Sequence, residues 1–171
     1  EGGAEVKRAK EEEGHGGASG IGTMSAAKQA RGGARGGREW LMDEGRLTNV
    51  EQPALGDAVP AWEKSDSGIV AEWVFDSGLL ARGSRADNPR YEYGEAPAEI
   101  LAKATRIAEV CRSHGVPLPA AALQYTLRFA PVRSVVAGSS RPEQIRQNAE
   151  WMRLAIPEDL WAELAAEGLT P

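Results

Sequence analysis

The sequence predicts an α/β fold, and two observations support this prediction. Near the C-terminus, a short β-branched run at Val135 and Val136 ends in glycine and hydroxyl residues, and Pro142 then suits the first turn of a helix. Upstream, apolar residues recur with a period of about 3.6 over residues 97 to 114, which is the pattern of a long amphipathic helix. Strands and helices therefore share the chain.

The expected elements follow one another along the chain. We expect strands at about 18 to 23, 39 to 43, 68 to 74 and 133 to 137. We expect helices at about 4 to 13, 50 to 60, 97 to 114, 118 to 130, 142 to 152 and 157 to 167. The first helix is expected because the basic residues of Lys7 to Lys10 precede Glu11 to Glu13 at helical spacing.

The segment from Val135 to Asn148 is the most informative one for function. A helix that begins at Pro142 directs backbone N–H groups and a positive dipole end toward one point, which is an anion site in outline. Arg141 adds a planar guanidinium suited to a phosphate. From these residues alone, the competing interpretation is an ordinary strand-to-helix connection with a capping serine.

Four segments of the C-terminal half, taken in their order along the chain, resemble consecutive parts of one known protein family. They are Ser67 to Ala81 (SGIVAEWVFDSGLLA), Pro97 to Tyr125 with its ending VPLPAAALQY, Val135 to Asn148 (VVAGSSRPEQIRQN) and Ile156 to Leu164 (IPEDLWAEL). Together they resemble the seventh strand with its loop, the seventh helix and the next helix entry, the eighth strand with its cofactor clamp, and the terminal helix of the aldo-keto reductases. The resemblance is strongest to the sugar and pyridoxal dehydrogenase branch of that family.

This resemblance implies a partial (β/α)8 TIM barrel, roughly strands 5 to 8 with their helices. In such barrels a phosphate site is often built from the loops after strands seven and eight. The resemblance also implies a nicotinamide dinucleotide, NADP or NAD, as cofactor. At the pyrophosphate, the implied binding residues are Phe75, Ser77, Gly78 and Leu79. At the adenosine-ribose phosphate they are Gly138, Ser139, Ser140 and Arg141. Near the adenine they are Gln144 and Asn148.

The same resemblance implies what the chain lacks. The family's catalytic tetrad of aspartate, tyrosine, lysine and histidine is carried by the first four strands, and no tyrosine of this sequence occupies its motif. The implied function is NAD(P)-dependent oxidoreduction of aldoses or related carbonyls and alcohols, with only the cofactor-binding half on this chain and no catalytic residue. Whether the chain is an enzyme stays open. The alternative is a catalytically inert fragment or half-barrel that acts as a binding or assembly partner.

Two regions are expected. Residues 39 to 171 form the half-barrel, and residues 1 to 38 form a weakly ordered, glycine-rich flank with a remnant of the fifth strand. Four glycines within residues 32 to 37 each cost a helix roughly 1 kcal/mol, so we expect the helix before the sixth strand to be short or melted. Because a half-barrel exposes sheet edges, we expect self-association or a complementary half-barrel as partner.

Composition bounds the other function classes. The single cysteine among 171 residues, Cys111, excludes an internal disulfide, and its place on the apolar face of a helix predicts a core thiol. No apolar run approaches the roughly eighteen residues of a membrane helix, so we expect no membrane partner and a cytoplasmic location. His15 and His114 are isolated, and we expect no metal site.

Two other motifs have weaker support. The segment Gly16 to Gly22 resembles the cofactor loop of short-chain dehydrogenases, but it follows charged residues where that loop needs a buried strand. The segment Arg31 to Arg38 resembles arginine-glycine RNA-binding tracts. It has no interleaved aromatic residue, however, and the chain has a formal net charge of −5. We therefore expect a linker there and no nucleic-acid partner.

Overall fold

The computed structural model describes residues 20–23, 40–44, 47–64, 68–82, 90–91 and 94–171. Its strands are β1 (Gly20–Thr23), β2 (Trp40–Glu44), β3 (Gly68–Glu72), β4 (Arg90–Tyr91), β5 (Gly94–Glu95) and β6 (Val132–Val135). Its α-helices are α1 (Ala54–Asp57), α2 (Val59–Glu63), α3 (Leu79–Arg82), α4 (Ala98–Ser113), α5 (Leu118–Tyr125), α6 (Pro142–Arg153) and α7 (Glu158–Ala166). Short 3-10 turns cover Asp76–Gly78 and Thr126–Arg128.

One parallel sheet organises these elements. Its strand order is β1, β2, β3, β6, and the register places Leu41 beside Ile69 and Ile69 beside Val132. The predicted α/β fold is confirmed, as is the existence of its four strands. The pair β4 and β5 is antiparallel and separate from this sheet. Because β3 and β6 are parallel neighbours, the loops that follow them leave the same edge of the sheet.

The prediction of one helix over 50 to 60 is wrong. Two short helices, α1 and α2, occupy this region, and the chain changes from one to the other at Ala58. Pro60 explains the break, because it has no N–H to donate to the carbonyl four residues earlier and is tolerated only in a first turn. Pro53 stands at the N-cap of α1, so the first helix begins later than predicted.

Two other predicted elements are shorter than expected. The helix predicted at 118 to 130 leaves the α conformation after Tyr125, and the chain becomes extended at Phe129, two residues before Pro131. A residue before proline avoids the helical region, so the helix could not continue to 130. The strand predicted at 68 to 74 ends at Glu72, because Trp73 adopts a left-handed φ of 59°.

Several expectations lie outside the described residues. These are the helix at 4 to 13, the short-chain-dehydrogenase-like segment up to residue 19, and the arginine-glycine segment at 31 to 38. Within the described ranges, no helix is both long enough and apolar enough to cross a membrane.

The core lies between the helices and one face of the sheet. On that face Leu41, Ile69 and Val132 are buried and pack with Trp62 of α2. A second buried cluster joins α4, α5 and α7 and contains Cys111, which is 1% exposed. Burial raises the pKa of this thiol to about 12, so the predicted core role of Cys111 is confirmed.

The opposite face of the sheet is partly exposed. Successive strand residues alternate between faces, and on this side Trp40 is 36% exposed while Met42 and Val70 are half-buried. A Cβ atom on Gly68 would lie 2.7 Å from the Trp40 ring, so glycine lets the indole lie across β3. This face, which lies opposite the core and which we call the inner face of the sheet, therefore offers an apolar surface.

Candidate functional site

A groove opens where the loops after β3 and β6 meet. We call residues 73–82 the β3 loop and residues 136–141 the β6 loop. The groove has a volume of about 930 Å³. The residues that line it are Glu72, Trp73, Val74, Phe75, Asp76, Ser77, Gly78, Ala81, Arg82, Val136, Ala137, Gly138, Ser139, Ser140, Arg141 and Gln144. It lies at the carboxyl ends of two adjacent parallel strands, which is where ligands bind in parallel α/β folds.

The β3 loop has an unusual backbone. Trp73, Asp76 and Ser77 have φ angles of 59°, 45° and 56°, in the left-handed region that non-glycine residues avoid. Each such residue costs of the order of 1 to 3 kcal/mol and persists only where the surroundings impose it. Two hydrophobic anchors do so here: Leu79 and Leu80, at 2% and 0% exposure, bury the start of α3 in the core.

Backbone hydrogen bonds tighten this loop further. The N–H of Asp76 donates to the carbonyl of Trp73 at 2.8 Å, and the N–H groups of Gly78 and Leu80 both donate to the carbonyl of Phe75 at 2.9 and 3.0 Å. These bonds join residues within the loop itself. The shape of this wall is therefore set before any ligand arrives.

Gly78 is required in this loop for two reasons. Its φ of +92° is accessible to glycine at little cost, and an added Cβ would lie 2.9 Å from a guanidinium nitrogen of Arg82. The guanidinium of Arg82, at the end of α3, thus lies directly over Gly78. Among the described residues no carboxylate forms an ion pair with it.

The β6 loop is organised by Gln144 in the first turn of α6. The Gln144 Oε1 accepts hydrogen bonds from the N–H of Ser140 at 2.9 Å, the N–H of Arg141 at 3.1 Å and the hydroxyl of Ser140 at 3.2 Å. The helix begins at Pro142, as predicted. The N-cap residue is Arg141 and not a serine, and the Gln144 side chain accepts the hydrogen bonds at this end of the helix. The alternative of an ordinary strand-to-helix connection stays open.

This arrangement changes how an anion could be held. Two of the backbone N–H groups that the sequence analysis directs at an anion already donate to Gln144. The exposed guanidinium of Arg141 and the hydroxyl of Ser139 then become the principal donors of the β6 loop. Ser139 is positioned from α6, since the Nδ2 of Asn148 donates to its Oγ at 3.3 Å.

The structure brings most of the predicted site residues together. Phe75, Ser77, Gly78, Gly138, Ser139, Ser140, Arg141 and Gln144 all line the groove. Leu79 does not, because its side chain is buried in the core, and Asn148 reaches the groove only through Ser139. Their roles toward a dinucleotide stay predictions.

Several lining residues are absent from the predicted site residues. Trp73 and Asp76 line the groove because of their left-handed backbone, for which the sequence has no local signal. Arg82 follows Gly78 by four residues, and residues four apart in a helix lie next to each other on its surface. This spacing could have predicted that Arg82 lies beside Gly78. Glu72 also lines the groove, which is therefore mixed in charge.

Tyr125 lies outside this groove. It is 3% exposed and packs edge-on against Phe129, with ring centroids 5.5 Å apart. Burial raises the pKa of its hydroxyl to about 12. His114 caps α4 and lies 2.7 Å from Glu163 of α7, and within the described part of the chain no cluster of three or more potential ligands could hold a metal ion.

Comparison with known proteins assigns the chain to a family. Residues 18–167 match the model of the Aldo/keto reductase family. The chain belongs to this family. The resemblance predicted from four sequence segments is therefore confirmed.

Individual relatives agree with this assignment. The chain is 49% identical over 154 residues to D-threo-aldose 1-dehydrogenase from Pseudomonas sp, covering 90% of the chain and 47% of that protein. It is 39% identical over 125 residues to pyridoxal 4-dehydrogenase from Microbacterium luteolum, covering 73% of the chain and 36% of that protein. The holo form of an aldo-keto reductase from Bacillus halodurans shares the fold, with a TM-score of 0.68 at 18% identity, over 96% of this chain and 54% of that one. The chain thus spans about half the length, or less, of these proteins.

Proposed function

We propose that this chain binds a nicotinamide dinucleotide, NADP or NAD, in the groove between the β3 and β6 loops. The observation that carries the proposal is the convergence of these two loops at the carboxyl ends of adjacent parallel strands, in a member of the aldo/keto reductase family. In barrels of this kind such a pair of loops often holds a phosphate.

The residues of the groove fit such a ligand. A volume of about 930 Å³ lies at the upper end of the roughly 300 to 1,000 Å³ typical of small-molecule and cofactor sites. The side chains that line it supply an aromatic surface at Phe75, hydroxyls at Ser77 and Ser139, and guanidinium groups at Arg82 and Arg141. A Cβ added at Gly138 would meet nothing within 4 Å, so the β6 wall leaves room for a ligand.

The reaction we propose is oxidation and reduction of an aldose or a related carbonyl or alcohol. The support is the identity to proteins named D-threo-aldose 1-dehydrogenase and pyridoxal 4-dehydrogenase, of which this chain spans 47% and 36%. In such chemistry the dinucleotide would accept a hydride when the alcohol or aldose is oxidised and donate one when the carbonyl is reduced. The residues of this chain would bind and orient the dinucleotide.

The sheet of this chain corresponds, in our proposal, to strands 5 to 8 of a (β/α)8 barrel, with the half-barrel over residues 39 to 171. The catalytic tetrad would then lie on strands that the chain does not carry. Tyr125 cannot replace the tetrad tyrosine, because it is buried in the core away from the groove. We therefore expect no carbonyl reductase turnover by this chain alone; NADPH oxidation with an aldose that disappears in Tyr125→Phe would contradict this.

A second candidate function is that of an assembly partner. In the described sheet β1 and β6 each have one edge without a neighbouring strand, and Trp40 exposes 36% of its surface on the inner face. Open edges tend to pair with another chain. Self-association or a complementary half-barrel would cover both features. Light scattering that finds a stable, well-folded monomer at high concentration would count against this candidate.

Arg141→Ala is the direct test of dinucleotide binding at the β6 loop. Removing a charge-assisted contact to the ribose phosphate should weaken NADP by about tenfold and leave NAD nearly unchanged. Asn148→Ala should weaken both dinucleotides, because Asn148 is assigned to the adenine, which is common to them. Arg153→Ala, at the far end of α6, is the matched control for charge. Binding is followed by calorimetry or ligand-detected NMR; a wild type that binds neither dinucleotide would overturn the proposal.

A further inference from the structure

Gln124, near the end of α5, joins that helix to the end of α6. Its Nε2 donates to the carbonyl of Trp151 at 2.7 Å and to the carbonyl of Leu154 at 2.9 Å. The last carbonyls of a helix lack the N–H partner that earlier carbonyls have four residues on. The N–H of Leu154 reaches the Trp151 carbonyl at 3.3 Å, so the bond from Gln124 is the shorter one. The Gln124 amide therefore satisfies two acceptors where α6 ends.

α6 is attached to the rest of the protein at both ends. None of its residues is fully buried, and the two apolar residues that pack against the core clusters, Trp151 and Met152, lie in its last turn. In its first half, the Gln144 and Asn148 side chains bind the β6 loop. Gln124 and this half-buried packing therefore hold the end of α6, while its beginning holds the β6 loop.

The length of α6 converts a small tilt into a large displacement. Its 12 residues span about 18 Å, since an α-helix rises about 1.5 Å per residue. A tilt of about 5° about the last turn would displace the first turn by roughly 1.5 Å. The hydrogen bond from Ser140 to Gln144 is 2.9 Å long and cannot stretch that far. The β6 loop must therefore lose its contacts with α6 or move with the helix.

We propose that Gln124 is a positioning residue for the dinucleotide, because it fixes the direction of α6 and thereby the position of residues 139–141. Gln124 does not line the groove. It lines a separate cavity of about 250 Å³ with Met152, so it acts on the groove through α6. The ligand in this inference rests on the proposed function. The link between Gln124 and the β6 loop concerns this chain alone and can be measured without ligand.

Three substitutions isolate the two hydrogen bonds. Gln124→Met keeps the length of the side chain and removes both donors. Gln124→Lys restores a donor and places a positive charge at the end of α6, where the helix dipole favours it. Gln147→Met is the matched control, since it makes the same change on α6 at an exposed amide that donates to Glu150 of the same helix at 3.1 Å.

The first measurement uses the full chain without ligand. Gln124→Met should shift the amide resonances of Ser140 and Arg141 and raise their hydrogen-exchange rates by about tenfold, the factor expected for two lost neutral hydrogen bonds. Gln124→Lys should return both toward the wild type, and the amides of α4 should not change. If Gln124→Met leaves the two amides unchanged, or if Gln147→Met changes them equally, the inference is refuted.

The second measurement follows NADP by ligand-detected NMR. Gln124→Met should weaken NADP several-fold, Gln124→Lys should recover most of the loss, and Gln147→Met should bind as the wild type does. Circular dichroism and thermal melting show that each variant folds; Gln124→Ala, which suits a helix, replaces Gln124→Met if that variant does not fold.

The two measurements separate the inference from the proposed function. If the wild type binds NADP and Gln124→Met binds it equally well, the positioning role of Gln124 is refuted while dinucleotide binding stands. If the wild type does not bind NADP, the proposed function fails and the role toward the dinucleotide fails with it. The amides of Ser140 and Arg141 then still decide whether Gln124 positions the β6 loop.

Discussion

The two loops that form the groove are held in opposite ways. The β3 loop is strained and anchored, since three non-glycine residues have left-handed backbones and Leu79 and Leu80 are buried in the core. The β6 loop leads into α6, none of whose residues is fully buried, and it is organised by polar contacts from Gln144 and Asn148. The β3 wall is thus fixed by buried side chains and by backbone hydrogen bonds within the loop, whereas the β6 wall is organised mainly by side-chain hydrogen bonds.

This difference shows how a binding groove can combine rigidity with adjustability. A strained turn persists only if the core over-determines it, so the β3 wall should keep its shape with or without ligand. The hydrogen bonds at the start of α6 are exposed and individually worth about 1 kcal/mol, so the β6 wall can exchange them for contacts to a ligand. The following substitutions test each wall.

The largest expected effect is on the anchor of the β3 loop. Leu80→Ala removes a side chain with 0% exposure and should lower the free energy of unfolding by about 2 to 5 kcal/mol. Ile145→Ala on α6, where Ile145 is 61% exposed, should change it by less than about 0.5 kcal/mol. Urea denaturation measures both. Equal losses for the two variants would remove the distinction between the walls.

Glycine substitutions compare the two loops with the same change. Gly78→Ala forces a side chain into a backbone at φ +92° and against Arg82, and should cost about 1 kcal/mol or more. Gly138→Ala meets nothing within 4 Å and has no left-handed φ, so it should be neutral or stabilise by about 0.4 to 1 kcal/mol. Thermal melting of both variants measures the two effects. If Gly138→Ala is destabilised and Gly78→Ala is unaffected, the predicted difference between the two loops is wrong.

The smallest effect should come from the cap of α6. Gln144→Ala removes the acceptor for two backbone N–H groups and should cost about 0.5 to 1 kcal/mol. Gln144→Glu keeps the acceptor and adds a charge that the helix dipole favours, so its stability should equal or exceed that of the wild type. The same charge should weaken an anionic ligand. A Gln144→Ala variant as stable as the wild type would show that the cap contributes nothing.

The two walls also differ in how far the sequence predicts them. The start of α6 depends on local sequence alone. Proline is favoured in the first turn of a helix, so Pro142 predicts where α6 begins, and the helix does begin there. The cap by Gln144 follows the capping-box spacing, three residues after the N-cap, and could have been predicted as well. In the β3 loop, Asp76 and Ser77 are left-handed because tertiary packing overrides local preference, and no local pattern predicts that.

Amide chemical-shift mapping during an NADP titration tests the central claim most directly. If both loops form one dinucleotide site, amides in 75–82 and in 136–148 should shift along the same saturation curve, at a dissociation constant of roughly millimolar or below. The amides of α7, away from the groove, should not respond. Shifts confined to one loop, or no shifts at saturating NADP, would contradict the account.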